Sequence, residues 1–79
     1  MIRYWFMYRS IRRNLRLYQE MHKMYASRYG SSDNAHYEAC GSFMYMTGLD
    51  FEEWVKGRYV LMDISFWEAL PLLRDISRG

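Results

Sequence analysis

Along the first 29 residues the apolar positions fall on one line. Tyr4, Tyr8, Ile11, Leu15, Tyr18, His22, Tyr25 and Tyr29 recur at alternating steps of four and three, the spacing that places side chains on one face of an α-helix. Arg9, Arg16 and Lys23 recur every seven residues on another face, with Arg12 and Arg13 beside them, and no acidic residue precedes Glu20. The pattern predicts one helix from near Ile2 to Tyr29. No proline interrupts it, its second half is rich in good helix formers, and Gly30 can take the left-handed conformation that ends many helices. Met7, Leu17, Met21 and Met24 widen the apolar face beyond what a two-stranded coiled coil needs. Such a face suits a helix contacted by two or three others.

The remainder reads as shorter elements. Ser31–Asn34 forms a turn, and Ser32 or Asp33 is the expected N-cap of a second helix over about Asn34–Met46. The small residues Ala39, Cys40, Gly41 and Ser42 should let this helix press on the first. Gly48 stops it. Asp50 then caps a third helix, with Glu53 completing a capping box and Leu49 and Trp54 placed for a hydrophobic staple. The third helix carries Phe51, Trp54, Val55, Tyr59 and Met62 on one face, and Gly57 is its weak point. The alternative is that it ends there and Arg58–Phe66 runs extended, because Tyr59, Val60, Ile64 and Phe66 favour strands. A lone strand finds no partner in this chain, so helix is the expectation. Asp63 or Ser65 opens the last helix, with Ser65 and Glu68 matching a second capping box. Pro71 should kink or split that helix, and Phe66, Ala69, Leu70, Leu73 and Ile76 should form its buried face. The expected architecture is all-α: a small three- to four-helix bundle organised on a long N-terminal helix, one domain over residues 1–79.

Composition changes this picture in one respect. Of the chain's 79 residues, 51% are hydrophobic, including 15 aromatic rings and 7 methionines. A chain this size buries roughly 60–65% of its unfolded surface and reaches a stability of about 4–8 kcal/mol. Such a core cannot hide every ring, and exposed rings in a patch point to a partner. The alternative is that tyrosine tolerates half-exposure without one.

Charge is unevenly placed. Residues 1–29 carry seven Lys and Arg against one Glu, a net +6, whereas residues 30–79 carry four against eight acids, a net −4. Either the acidic part docks on the basic helix, or the basic ridge is left for an outside anion. The one cysteine, Cys40, excludes an internal disulfide and fits a reducing, cytoplasmic compartment. No signal peptide is evident, and no apolar run is long enough for a transmembrane segment.

Chemistry-bearing residues are few. His36 and Cys40 stand four apart on one expected helix and His22 lies on the helix before, three ligands of the kind zinc takes. No fourth ligand and no Cys-x-x-Cys pair accompanies them, and a cysteine packed as a small hydrophobe explains Cys40 more simply. No metal or other cofactor is expected. Pairing Cys40 with His22 or His36 is the one nucleophile–base combination available, and nothing in the sequence orients the base, so the chain does not read as an enzyme. His22 is the one polar residue of the seam. It reads as a hydrogen-bonded core histidine, or as a register device in a self-associating seam.

These observations favour a non-catalytic protein–protein interaction module, an accessory or inhibitor of the kind that phages and mobile elements encode. It would block or bridge a larger partner with an acidic surface. Trp5, Phe6 and Tyr8 would supply the aromatic contact, and Arg9, Arg12, Arg13 and Arg16 would pair with the partner's carboxylates. The first alternative is a nucleic-acid-binding protein that uses the basic face of the first helix. Segments two and three loosely resemble a helix-turn-helix, but the would-be reading helix opens Phe51-Glu52-Glu53, and carboxylates there repel phosphates. The second alternative is a peripheral membrane protein or a small subunit of a larger complex. A homodimer through the seam stays open.

Overall fold

The computed structural model describes residues 2–30 and 32–79. They form α1 (Ile2–Tyr29), α2 (Ser32–Thr47), α3 (Phe51–Trp54), a 3-10 turn (Tyr59–Met62) and α4 (Phe66–Arg78), with no strand among the described residues. The all-α bundle on a long first helix is therefore present. At 1.5 Å per residue, 28 residues of α1 span about 42 Å, and the longest dimension of the molecule is 42 Å. One helix sets the length, and everything after it is laid along its side.

The seam does the gathering. Tyr8, Ile11, Leu15, Tyr18 and Met21 of α1 are buried, with Tyr4, Leu17 and Tyr25 partly buried against the same core. Tyr29, at the end of the repeat, is half exposed. His22 is not a hydrogen-bonded core residue. It is partly exposed, and its ring lies 5.9 Å from that of Tyr18. Ala35, Ala39 and Phe43, at steps of four, form the stripe of α2 that meets α1, and all three are fully buried. Phe51 of α3, Leu61 of the 3-10 turn, and Ala69 and Leu73 of α4 complete the core. Three rings tie α1, α2 and α3 together: Tyr18 stacks on Phe51 at 3.7 Å between centroids, and Phe43 meets Phe51 edge-on at 5.1 Å.

Local signals in the chain are read out where they were strong. Gly30 and Gly48 take φ of +68° and +74° at the ends of α1 and α2. Ser65 and Glu68 form the full reciprocal capping box at the start of α4. The Ser65 hydrogen bonds hold the Glu68 carboxyl below its usual range.

Several expectations are corrected. The helix of α2 already includes Ser32 and Asp33, so neither is its N-cap, and residue 31 lies outside the described residues. The Asp50 side chain does accept from the Glu53 amide. The reciprocal half of that box is missing, because the Glu53 carboxylate pairs with Lys56 at 3.2 Å instead. Neither the long third helix nor the extended alternative forms. Gly57 takes a φ of +73° and divides the segment into a single helical turn and the 3-10 turn. There the Arg58 guanidinium donates to the Trp54 carbonyl at 2.6 Å. Pro71 does not split α4, which runs unbroken from Phe66 to Arg78. The ring sits on the exposed side, so the missing donor leaves its carbonyl partner facing water. Gly41 is not a point of close approach either. It faces solvent, and a Cβ built there meets nothing within 4 Å. Ala35 and Ala39 mark the close contact instead.

Gly41 and Gly57 both have open space around them, so substituting each isolates the backbone term. Gly41→Ala should raise stability by up to about 1 kcal/mol through helix propensity. Gly57→Ala should lower it by about 1–2 kcal/mol, because an L-residue resists positive φ. Urea unfolding followed by circular dichroism measures both. Phe43→Ala, which empties the centre of the core, should cost about 3–5 kcal/mol by the same assay.

Candidate functional site

Two places in the fold collect chemistry-bearing side chains, and α1 contributes to both. The first lies along the N-terminal half of α1. Trp5, Arg9, Arg12 and Arg16 follow steps of four, three and four down one face, and Phe6, Ser10 and Arg13 run beside them. Together with Tyr8 they line an open groove of about 690 Å³. All seven residues singled out for partner contact from the sequence are on its walls.

Their roles in the groove differ. Trp5 and Phe6 are 41% and 62% exposed, whereas Tyr8 is only 4% exposed. The Tyr8 ring belongs to the core, and its hydroxyl donates to the Ile64 carbonyl at 2.7 Å. Arg12 donates to that same hydroxyl at 3.0 Å and lies over the Tyr8 ring. Tyr8 therefore holds Arg12 in place rather than offering a surface of its own. Arg9 lies over the Trp5 indole, with the guanidinium carbon 5.9 Å from the ring centroid, within the range of a cation–π contact.

The charge asymmetry is not cancelled inside the molecule. Among the described residues the carboxylates that meet a nitrogen-bearing side chain are Glu52, at His36, and Glu53, at Lys56, and neither contact involves α1. The acids of the second half are spent on helix starts or face water: Asp50 caps α3 and Glu68 caps α4. The guanidiniums of Arg9, Arg13 and Arg16 face the groove without a carboxylate.

One groove-side residue escaped the sequence reading. Trp67 is 69% exposed and joins Ile2, Trp5 and Phe66 around an apolar hollow of about 370 Å³. The hollow shares Trp5 with the basic groove, so one face carries an apolar end and a cationic end. Trp67 sits on the second position of α4, off the buried stripe. Only the docking of α4 beside the start of α1 brings it to Trp5, through Phe66, whose ring meets Trp5 edge-on at 5.3 Å. A further apolar face was also unassigned: Tyr37, Met44, Tyr45 and Met46 of α2 are exposed.

The second place lies where α1, α2 and α3 meet. The Tyr18 hydroxyl bonds His36 Nδ1. His36 Nε2 lies 2.8 Å from a Glu52 carboxylate oxygen. With a carboxylate on one side and a hydroxyl on the other, neutral imidazole carries its proton on Nε2, donates it to Glu52 and accepts from Tyr18. Cys40 Sγ lies 3.6 Å from Nε2 and 3.8 Å from Nδ1. Both ring nitrogens are already engaged, so no base is free to take the thiol proton. Burial, with Glu52 and Asp50 nearby, pushes the Cys40 thiol up. This geometry makes a poor nucleophile. His22 takes no part in the cluster, and Glu52 occupies the place that sequence spacing had suggested for it.

The loose helix-turn-helix likeness fails on length: α3 has four residues, too few to lie along a groove of DNA. No helix among the described residues is long and apolar enough to cross a membrane. Comparisons with protein-family models, curated proteins and solved structures find no match to this chain.

Burial pushes the Tyr18 hydroxyl from 10.0 up to about 12, with Cys40, Tyr59 and Glu52 adding to it. A group whose folded pKa is raised gives stability that is complete below its unfolded pKa and lost as pH climbs through the folded one. Stability should therefore fall between about pH 10 and 12, and the fall should be shallower in Tyr18→Phe. Denaturant titrations across that range, with tyrosinate absorbance at 295 nm as an independent readout, test this.

Proposed function

We infer that the protein is a non-catalytic binding module whose working surface is the combined face of α1 and the start of α4. The partner is a larger protein with an acidic surface. The observation that carries this reading is the row of arginines without internal carboxylates, running directly into exposed Trp5, Phe6 and Trp67. A face of that kind combines the two ingredients of a binding hot spot: large rings that leave water on association, and arginines that fork onto carboxylates. Action is steric, by covering or bridging the surface it meets.

Nucleic acid is the second reading, and one feature favours it. Trp5 offers an indole for base stacking at the head of a row of arginines that could follow a phosphate backbone. The two readings differ in salt dependence. A protein partner loses affinity gently as salt rises, whereas a nucleic acid gives a steep log–log slope that approaches the number of phosphates contacted.

Capture from cell extract with the tagged protein, with and without nuclease, separates them. The expected result is a protein partner retained after nuclease treatment. Joint charge reversal at Arg9, Arg13 and Arg16 should abolish it; Arg12 is left in place because its guanidinium bonds the buried Tyr8 hydroxyl. Trp5→Ala and Phe6→Ala should each weaken binding by about 30-fold or more if they are hot spots, a loss of at least about 2 kcal/mol. Loss of the captured material on nuclease treatment, with a steep salt slope, would establish the second reading instead.

A further inference from the structure

We propose that His36, Cys40 and Glu52 form a binding site for a divalent zinc ion, with Tyr18 setting the orientation of the imidazole. The three residues present one nitrogen, one sulfur and one oxygen, and these donor atoms all lie within 4.8 Å of one another. They come from two elements whose relative placement the core fixes. His36 and Cys40 are one turn apart on α2, and Glu52 is in the single turn of α3, next to the Phe51 ring stacked on Tyr18.

The distances decide whether an ion fits. Zinc takes imidazole nitrogen at about 2.0–2.1 Å, thiolate at about 2.3 Å and carboxylate oxygen at about 2.0–2.2 Å. At tetrahedral angles those bonds require a nitrogen–sulfur separation of roughly 3.6 Å and a nitrogen–oxygen separation of roughly 3.4 Å. Cys40 Sγ is 3.6 Å from His36 Nε2 and 3.8 Å from Nδ1, so it lies over the ring, and its side chain must turn toward the Nε2 edge to reach the ion. Glu52 Oε1, at 2.8 Å, must back away by about half an ångström to admit the ion. Its side chain is 72% exposed, so a change of rotamer in solvent is enough. Cys40 is partly exposed as well, so both adjustments are side-chain rotations at the rim of the core.

The surroundings match the ion's other needs. A metal-bound imidazole holds its proton on the opposite nitrogen and is steered by an oxygen there; at Nδ1 that oxygen is the Tyr18 hydroxyl. The side chains of His36 and Glu52 are 40% and 72% exposed, so the outer side of the ion would face solvent, with water as the fourth ligand. Three protein ligands with an open fourth position are the pattern of an accessible zinc site rather than a closed structural one. On binding, the Cys40 thiol loses its proton to solvent, the imidazole proton moves from Nε2 to Nδ1, and the ion accepts electron pairs from sulfur, nitrogen and oxygen. No oxidant or reductant is needed. Mixed nitrogen, sulfur and oxygen donors select zinc over magnesium or calcium.

The test uses the full chain, free of any affinity tag, titrated with Zn²⁺ by calorimetry and with Co²⁺ as a spectroscopic stand-in. The expected result is one ion per chain, about one proton released per Zn²⁺, and a thiolate-to-cobalt charge-transfer band in the near ultraviolet. Cys40→Ser should remove both the band and the proton release, and Glu52→Gln should weaken Zn²⁺ at least tenfold. Tyr18→Phe should weaken it by about 10–100-fold, as loss of an orienting partner does. Circular dichroism of each variant without metal confirms that the fold persists; any variant that unfolds is replaced by Cys40→Ala or Glu52→Ala, which should lose the ion in the same way. The proposal is overturned if Zn²⁺ shows no saturable one-to-one binding, if the cobalt complex lacks the charge-transfer band, or if Cys40→Ser or Glu52→Gln binds as tightly as the wild type.

Discussion

Burial of the α1 seam is the interaction on which every other element depends. Isolated helices shorter than about 12–15 residues are marginal in water, and α3 and the 3-10 turn have four residues each. They exist because Phe51 and Leu61 reach the surface made by Tyr18, Leu15 and Phe43. Even α4, with its capping box, holds its place through Ala69 and Leu73 on that surface. Using tyrosine in the seam has a further effect. A leucine seam would end at the edge of the core, whereas Tyr8, Tyr18 and Tyr25 each carry a hydroxyl through the apolar layer to a polar partner: the Ile64 carbonyl, His36 and Ser42. The same side chains thus fill the core and pin α2 at two points and the segment before α4 at a third.

That economy governs the surface as well. Because the seam takes one side of α1, the basic residues are confined to the other. The later carboxylates could have folded over them, and they do not. Asp50 and Glu68 are drawn to helix N-termini, where exposed amides and the helix dipole favour negative charge. A cap position is fixed by local geometry within three residues, whereas reaching α1 would need a long side chain held rigid across solvent for a gain of about 1 kcal/mol or less. Local capping outcompetes the distant ion pair, and the ridge stays open.

The same contrast between local and distant forces explains what the chain's pattern revealed. The span of α1, its stop at Gly30, the Gly48 stop and the Ser65–Glu68 box all rest on interactions spanning a few residues, and each was legible. Gly57 was visible as a weak point, but whether a weak point bends, breaks or holds a helix depends on what lies beneath it. There, Leu61 needs to turn back into the core. Gly41 misled for the complementary reason: a small residue permits close approach without requiring it, and the face of α2 that meets α1 was set by Ala35, Ala39 and Phe43. Among candidate site residues, the arginines were singled out by their spacing, and Trp5 and Phe6 as the rings beside them. Trp67 and Glu52 were not, since each enters its cluster through contacts between segments far apart in the chain.

Glu52 shows how this matters for function. Read along the chain, it is the first-turn acid of a helix, and its charge is accounted for by the dipole. Read in space, it closes a triangle with His36 and Cys40, because the Tyr18–Phe51 stack carries α3 up against α2. Aromatic stacking in the core, which has no chemistry of its own, thereby determines which polar groups become neighbours at its rim. The seam of α1 leaves the arginine ridge open on one side of the molecule, and through the Phe51 ring it assembles the nitrogen, sulfur and oxygen donors where α1, α2 and α3 meet.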